Sequence, residues 1–451
     1  MTDASATLLP TRRDIVIVAS FAAASILVVL PYLRGGPGFF MDDWRNLARL
    51  DTVGWLRSAE ASRFASRPGA WAVETVLYPL LRDRAVAWVF ALAALNAGAA
   101  TAIFVALRRF TAEATSLAIV LVWILLPNHT SMRTFANIAP MIVGLTLLAI
   151  GVILMDSGRL IWGSVAVALG GFCLEVMMLP GLVALIVLHH WRKRGTRKEA
   201  LIGGSIIVIA TALMLIHPTY SVAHATRGTP AALWPAHFGS GLTTVPAIAW
   251  ALSLTAAVGI LLGLYLFARG QRSTRDAPWL VVVGLAVMVV GLAPFILKWP
   301  TGYRGQADRT FVVSSVGSAI VWVGIGRLVW ERSRALAVAG CIGFIAAMTA
   351  TNITYQADWS RAAQETPAML RSVACRSDSS PPSNLAVGPT VPSYGGVRAL
   401  HQFFLDDATR VVLGGPMTFV LAEGEQEWRS RPSNLQLTWG ELVKQRKDCG
   451  N

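Results

Sequence analysis

Charge is what this sequence has least of. Of its 451 residues only 14% are Asp, Glu, Lys or Arg, against 54% that are hydrophobic, where a soluble domain carries roughly 25% charged residues. With a mean hydropathy of +0.55, that deficit excludes an ordinary soluble enzyme and implies an integral membrane protein. Lysine is scarce beside arginine, a bias that by composition alone points to a GC-rich bacterial source. There are only four cysteines, with no CxxC or Cys/His spacing of the kind that holds a metal. Cys173 and Cys341 fall in apolar runs, where a small buried hydrophobe is expected. Cys375 and Cys449 lie in a polar C-terminal tail, where a disulfide and two free thiols are both open. No internal repeat is visible, which weighs against a transporter built from repeated halves.

The apolar stretches define the architecture. The first, Asp14 to Leu33, is long enough to cross a bilayer, and no A-x-A exit follows it, so a retained anchor is expected over a cleaved signal. Further spans read at 85–107, 112–127, 134–155, 160–173, 175–190, 199–216, 246–267, 278–297, 309–328 and 335–353. That gives about eleven, and an all-α polytopic membrane domain over residues 1–353. Basic runs such as HHWRKRGTRK alternate with spans, as cytoplasmic loops do; no basic face on a soluble domain suggests nucleic acid. The alternation places the N-terminus in the cytoplasm, provided that 160–190 is two short segments meeting at Cys173-Leu174-Glu175. The loop 34–84 then lies outside despite carrying eight Arg beside six acids, since the charge rule weakens as loops approach ~60 residues. Within it Trp44, Leu47, Trp55 and Leu56 suit one side of a helix lying on the membrane surface. Residues 354–451 form an extracytoplasmic C-terminal domain on this reading. Asp358 to Val373 reads as a helix, and Asn384 to Val391 and Arg410 to Leu421 as strand-like runs, so a small α/β tail is expected.

The chemistry-bearing residues begin in GPGFFMDDWRNLARL. Asp42 and Asp43 are adjacent carboxylates near the end of the first span; they repel each other and hold water, and an interfacial acid serves either function or solvation. Further along the same loop SRFASRPGAW carries Arg63 and Arg67-Pro68. The planar guanidinium fork suits phosphate. Acids and arginines on one outer loop therefore suit a reaction in which a base deprotonates a hydroxyl while cations hold a phosphate leaving group. Glu175, at the break between two short spans, either pairs with an Arg or lines a cavity. His217, His224 and His237 share one loop with no ligand spacing and read as solvated residues. His189-His190 read as ordinary residues beside a basic cluster. Asn128 and Asn352 match the N-glycosylation acceptor pattern, idle in a bacterium, and Tyr303 reads as an interfacial tyrosine.

An acidic pair after the first span, Arg67-Pro68 before the second and Asn96 within it (ALAALNAGAATAIF) resemble the membrane glycosyltransferases of the GT-C fold, among them the protein O-mannosyltransferases. GGFCLEVMMLPGLVAL is similar to that family's Lys-Glu then Leu-Pro segment through Glu175 and Pro180, and GYRGQADRTFVVSSVGSAIVWVGI to its Arg-Tyr entry to a late span through Arg309. The chain departs from the pattern at Leu174, Thr310 and Val313, and lacks a His near Asn96. The resemblance implies inverting transfer of a sugar from a polyprenyl-phosphate donor to a hydroxyl of a glycan, lipid or protein, on the outer face of a bacterial plasma membrane. Asp42 would be the general base and Asp43 would orient the acceptor or share that role. Arg67, Arg304 and Arg309 would hold the lipid phosphate, with Glu175 and Asn96 lining the site. No cofactor is implied; a divalent metal is not indicated, because the loop already offers cations. The alternatives are a polysaccharide polymerase or ligase, and a lipid or solute transporter.

Overall fold

A computed structural model describes residues 11–54, 67–216, 277–298, 311–376 and 405–413, with short pieces within 255–265 and 385–437. The chain is overwhelmingly helical. Helix α1 (Arg12–Gly35) opens with a capping box in which Thr11 and Asp14 exchange hydrogen bonds, satisfying amide donors that the first turn leaves unpaired. Among the described residues of the first loop two helices fold: α2 (Asp42–Val53) and α3 (Pro68–Leu81). Then come α4 (Ala85–Leu107), α5 (Glu113–Leu125), the single turn α6 (Ser131–Thr134) and α7 (Ala139–Asp156). They are followed by α8 (Leu160–Cys173), α9 (Met178–His190), α10 (Arg197–Ile216), α11 (Ala277–Lys298) and α12 (Ser314–Arg332). The last long element is α13 (Arg334–Arg376), and α14 (Leu405–Leu413) lies in the tail. Among the described residues four helices, at Arg12–Gly35, Ala85–Leu107, Ala136–Asp156 and Arg334–Arg371, are long and apolar enough to cross a membrane by length and composition, which makes this a membrane protein.

The break expected at Cys173-Leu174-Glu175 is present: α8 ends at Cys173, a 3₁₀ turn covers Glu175–Met177, and α9 starts at Met178. A second 3₁₀ turn, Ala136–Ile138, precedes α7, which carries Pro140 in its first turn, where proline costs no hydrogen bond. These two turns stand at one end of the bundle, with α2 and α3. At the other end the basic segments meet: Arg108 pairs with Asp14 at 3.3 Å, Arg13 with Glu113 at 2.7 Å, and Arg109 and Arg192 with Asp156 at 3.3 and 3.0 Å. Four of the segments grouped together by the charge count, at Arg12-Arg13, Arg108-Arg109, Asp156 to Arg159 and Trp191 to Lys198, are therefore neighbours in space.

Other expectations change. Trp44 and Leu47 face the protein core, 5% and 3% exposed, so α2 is clamped into the fold and does not rest on a lipid surface by those residues; Trp55 and Leu56 lie outside the described residues. The helix expected from Asp358 is the second half of α13, which runs unbroken through the boundary expected at 353. Residues 410–413, expected as strand, are the end of α14. Its apolar residues Ala408, Val411 and Val412 recur at helical spacing and join the core cluster. Beyond α13 the short strand Leu385–Val387 pairs in parallel with Phe419–Leu421 and Leu435–Leu437. Of the span expected at 246–267 only residues 255, 258–262 and 265 are described, and these are helical; the loop histidines lie outside the described residues.

Small residues set the helix spacing. A Cβ on Gly317 of α12 would lie 2.6 Å from the Gly284 carbonyl oxygen of α11 and 2.7 Å from the Met288 amide, so the backbones touch, as apposed membrane helices do where side chains are small. Gly317→Leu is expected to force α11 and α12 apart and destabilise the protein by about 1–3 kcal/mol. A lowered thermal unfolding midpoint in detergent checks this; an unchanged midpoint refutes the close packing.

Candidate functional site

The acidic pair sits in the first turn of α2, where the helix dipole favours negative charge. The turn is tight. Met41 takes φ 42°, a left-handed conformation that costs a side-chain-bearing residue energy and persists where surrounding contacts impose it. Here the Asp43 amide donates to the Phe40 carbonyl at 2.8 Å, while the Phe40 amide donates to Asp43 Oδ2 at 3.1 Å. Two distant segments complete the cage: the Tyr78 hydroxyl of α3 and the Asn137 backbone amide each donate to Asp43 Oδ1 at 2.8 Å. Asp43 is fully buried. Burial pushes its carboxyl up to about 8, against the pull of the hydrogen bonds from Tyr78, Phe40 and Asn137, and the neighbouring Asp42 charge adds to the rise.

Asp42 is different. It is half-buried, and its Oδ2 accepts a hydrogen bond from Asn137 Nδ2 at 3.0 Å. Asn137 thus reads both carboxylates, one through its backbone and one through its side chain. The residue is placed by an unusual connection: every residue from Leu126 to Pro140 is buried, so the segment between α5 and α7 is a plug in the fold and not a surface loop. Buried backbone needs internal partners, and the plug supplies several. Asn96 Nδ2 donates to the Met132 carbonyl at 2.8 Å as well as to Leu92 in its own helix at 2.9 Å. Arg133 donates to Asn352 Oδ1 at 2.7 Å, to the Leu126 carbonyl at 2.9 Å and to the Ile124 carbonyl. His129 stacks on Trp123 with ring centroids 5.1 Å apart; burial, reinforced by the Arg133 charge, depresses its pKa and favours the neutral ring. Both Asn128 and Asn352 are 3% exposed, which closes the acceptor patterns to any glycosylating enzyme in the folded protein.

Arg67 caps the N-terminus of α3 and meets Glu175 through both prongs of its fork, Nε to Oε2 at 3.0 Å and Nη2 to Oε1 at 2.9 Å. Of the two roles open to Glu175, pairing with arginine is the one seen. Gly69 is required beside it, since a Cβ there would lie 2.9 Å from the Cys173 amide nitrogen. Helix α3 therefore carries the Arg67–Glu175 pair at its start and Tyr78 near its end, roughly 16 Å apart at a rise of about 1.5 Å per residue. The site brings together Asp42, Asp43, Tyr78 and Asn137; it does not bring Glu175 or Asn96 into contact with the acids. Arg63, Arg304, Arg309 and Tyr303 lie outside the described residues. A groove of about 510 Å³, lined by Phe39, Trp44, Asp83, Gln364, Arg371 and Val411 among others, runs beside α2. Trp44 lies two residues beyond Asp42, roughly 200° round the helix, so this groove borders the face away from that carboxylate. Among the described residues no three of His, Cys, Asp or Glu converge as metal ligands. No protein-family model matches this chain, and no curated protein is similar to it.

Tyr78 and Asn137 are the residues that sequence reading passes over. The available signal is slight: Tyr78 precedes Pro79 in the loop read as outer, and Asn137 is a lone amide three residues before Pro140 at the start of the span read at 134–155.

Two predictions follow from the cage. Tyr78→Phe, which removes a donor to a buried carboxylate, is expected to cost about 1–3 kcal/mol, read as a lower unfolding midpoint. Because Asp43 holds its proton to about pH 8 and an unfolded Asp only to about 3.9, the native state binds more protons between them. Stability then falls as pH rises through that interval and levels off above it. Asp43→Asn is expected to flatten the slope in unfolding scans from acidic to alkaline buffer; an unchanged slope refutes the buried titration.

Proposed function

We propose that the protein is a glycosyltransferase that moves a sugar from a polyprenyl-phosphate donor to an acceptor hydroxyl with inversion, at the outer face of a bacterial plasma membrane. The observation that carries this reading is the division of labour in the acidic pair: a half-buried Asp42 aimed by Asn137, beside a buried Asp43 whose oxygens are bonded to three segments of chain. Asp42 takes the proton of the acceptor hydroxyl. That oxygen attacks the anomeric carbon from the face opposite the phosphate, and the bond to phosphate breaks with its electron pair leaving on the polyprenyl phosphate. Asp43 does not touch substrate; it fixes the turn that aims Asp42.

The resemblance of the sequence motifs to GT-C enzymes supports this reading, and the finer architecture is proposed with it: about eleven spans, a cytoplasmic N-terminus and a small extracytoplasmic α/β tail. The role of Arg67 shifts. With its fork on Glu175 and its position at the end of α3 remote from Tyr78, it braces the helix that delivers Tyr78, and the grip on the phosphate falls to Arg304 and Arg309.

The test follows labelled sugar from a polyprenyl-phosphate donor in membranes holding wild type, Asp42→Asn or Asp43→Asn. Loss of a positioned general base is expected to slow transfer by ~10²–10⁴-fold in Asp42→Asn. Asp43→Asn should lose less and lose it through positioning, with a shifted pH profile. Full turnover by Asp42→Asn removes the base, and absence of turnover by wild type removes the donor class.

A further inference from the structure

The end of the bundle opposite the acidic pair holds a cluster that the transfer reaction does not use. Asp156, at the C-terminus of α7, has a side chain only 5% exposed, and three arginines reach it: Arg109 at 3.3 Å, Arg192 at 3.0 Å and Arg194 at 3.4 Å. They come from two separate turns. Arg109 follows α4 and also donates to Ser157 Oγ at 3.0 Å. Arg192 and Arg194 follow α9, in a turn where Lys193 takes φ 53° and Gly195 φ 66°; the left-handed residue between them lets both arginines approach one carboxylate. The turn is pressed onto α8, since a Cβ on Gly195 would lie 2.6 Å from Leu160 Cδ1. Arg192 also donates to the Arg109 carbonyl and lies over the Phe110 ring, 4.9 Å from its centroid.

Among the described residues the charge does not close. One carboxylate faces three guanidinium groups, a local excess of two positive charges, and these side chains remain a third or more exposed. Neighbouring acids are engaged elsewhere: Asp14 with Thr11 and Arg108, Glu113 with Arg13, and Glu199 with the amide and hydroxyl of Thr196. Like charges held this close repel unless an anion joins them. Around the cluster Trp191, Trp162 and Phe110 are exposed, at a helix end where aromatic rings mark the level of lipid headgroups. Guanidinium forks held in place are matched to phosphate oxygens.

We propose that Arg109, Arg192 and Arg194, organised by Asp156, form a binding site for the phosphate of an anionic phospholipid headgroup. Asp156 gathers the three arginines in advance, the lipid phosphate neutralises their excess charge, and the exposed rings lie along its glycerol and acyl region. The site stands apart from the acidic pair and does not depend on the function assigned to it.

The experiment uses the full-length protein in detergent with phosphatidylcholine alone or with phosphatidylglycerol, reading bound lipid by native mass spectrometry and the unfolding midpoint in parallel. Wild type is expected to retain phosphatidylglycerol through delipidation and to unfold at higher temperature with it. Arg192→Gln/Arg194→Gln leaves Arg109 on Asp156, so no buried carboxylate is stranded, and cancels the excess charge; it should retain phosphatidylglycerol roughly tenfold or more less tightly. If the double variant is not monodisperse, Arg194→Gln, which keeps two guanidinium groups on Asp156, carries the same comparison with a smaller loss. Equal retention of both lipids by wild type, or undiminished phosphatidylglycerol on a folded variant, overturns the site. Displacement of the lipid by inorganic phosphate at equal concentration reassigns it to a soluble anion.

Discussion

Burying a carboxylate is the constraint around which the upper half of this molecule is arranged. An isolated ionised group removed from water is so unfavourable that it either finds donors or takes up a proton, and Asp43 does both. Its donors come from the turn before α2, from α3 and from the plug before α7. One side chain thereby ties the first loop to a connection nearly a hundred residues later. The strained Met41 and the fully buried 126–140 segment are consequences of the same tie. A carboxylate at the surface would have needed none of them. Asp42, its neighbour in the chain, is left at the edge of this rigid knot, which is the placement that the proposed general base requires.

The lower half solves a different problem. There the charges are near water, and a single acid, Asp156, collects three arginines without balancing them. Between the two ends the helices are joined by glycine contacts, with Gly144 against Gly170 and Gly151 against Gly163 across α7 and α8, and Gly284 against Gly317 across α11 and α12. In lipid, apolar side chains gain little by leaving an already apolar solvent, so close backbone approach and dispersion hold such pairs together. Among the described residues the charged clusters stand at the two ends of the bundle and in the plug, where hydrogen-bonding partners exist.

Much of this was legible in the sequence, unevenly. The long apolar runs of α1, α4 and α7 declare themselves, because crossing a bilayer demands length and hydrophobicity that no other element needs together. The split between α8 and α9 followed from the charge pattern, and Leu174 and Glu175 mark it. The tail was harder: α14 reads as a strand over 410–413 because Val411-Val412-Leu413 has high β-propensity, and packing on α2 and α13 overrides such a preference. The plug was missed for a similar reason. NHTSMR is polar enough to pass for a short outer loop and TFANI for the start of a span, and only partners such as Asn96, Asn352 and Asp43 let the polar groups of both be buried.

At the site itself, Asp42 and Asp43 stand out in the sequence by adjacency, and adjacency is symmetrical. What the sequence alone determined was the adjacency of the two acids, the apolar runs and the break after Cys173, since local composition and the alternation of charge with hydrophobicity are properties of the chain as written. Which acid is buried, that Arg67 belongs to Glu175, and that Tyr78 and Asn137 complete the cage were decided by tertiary structure. Those assignments depend on donors brought together from residues 35 and 94 positions away from Asp43, and no local pattern encodes a hydrogen bond across that distance.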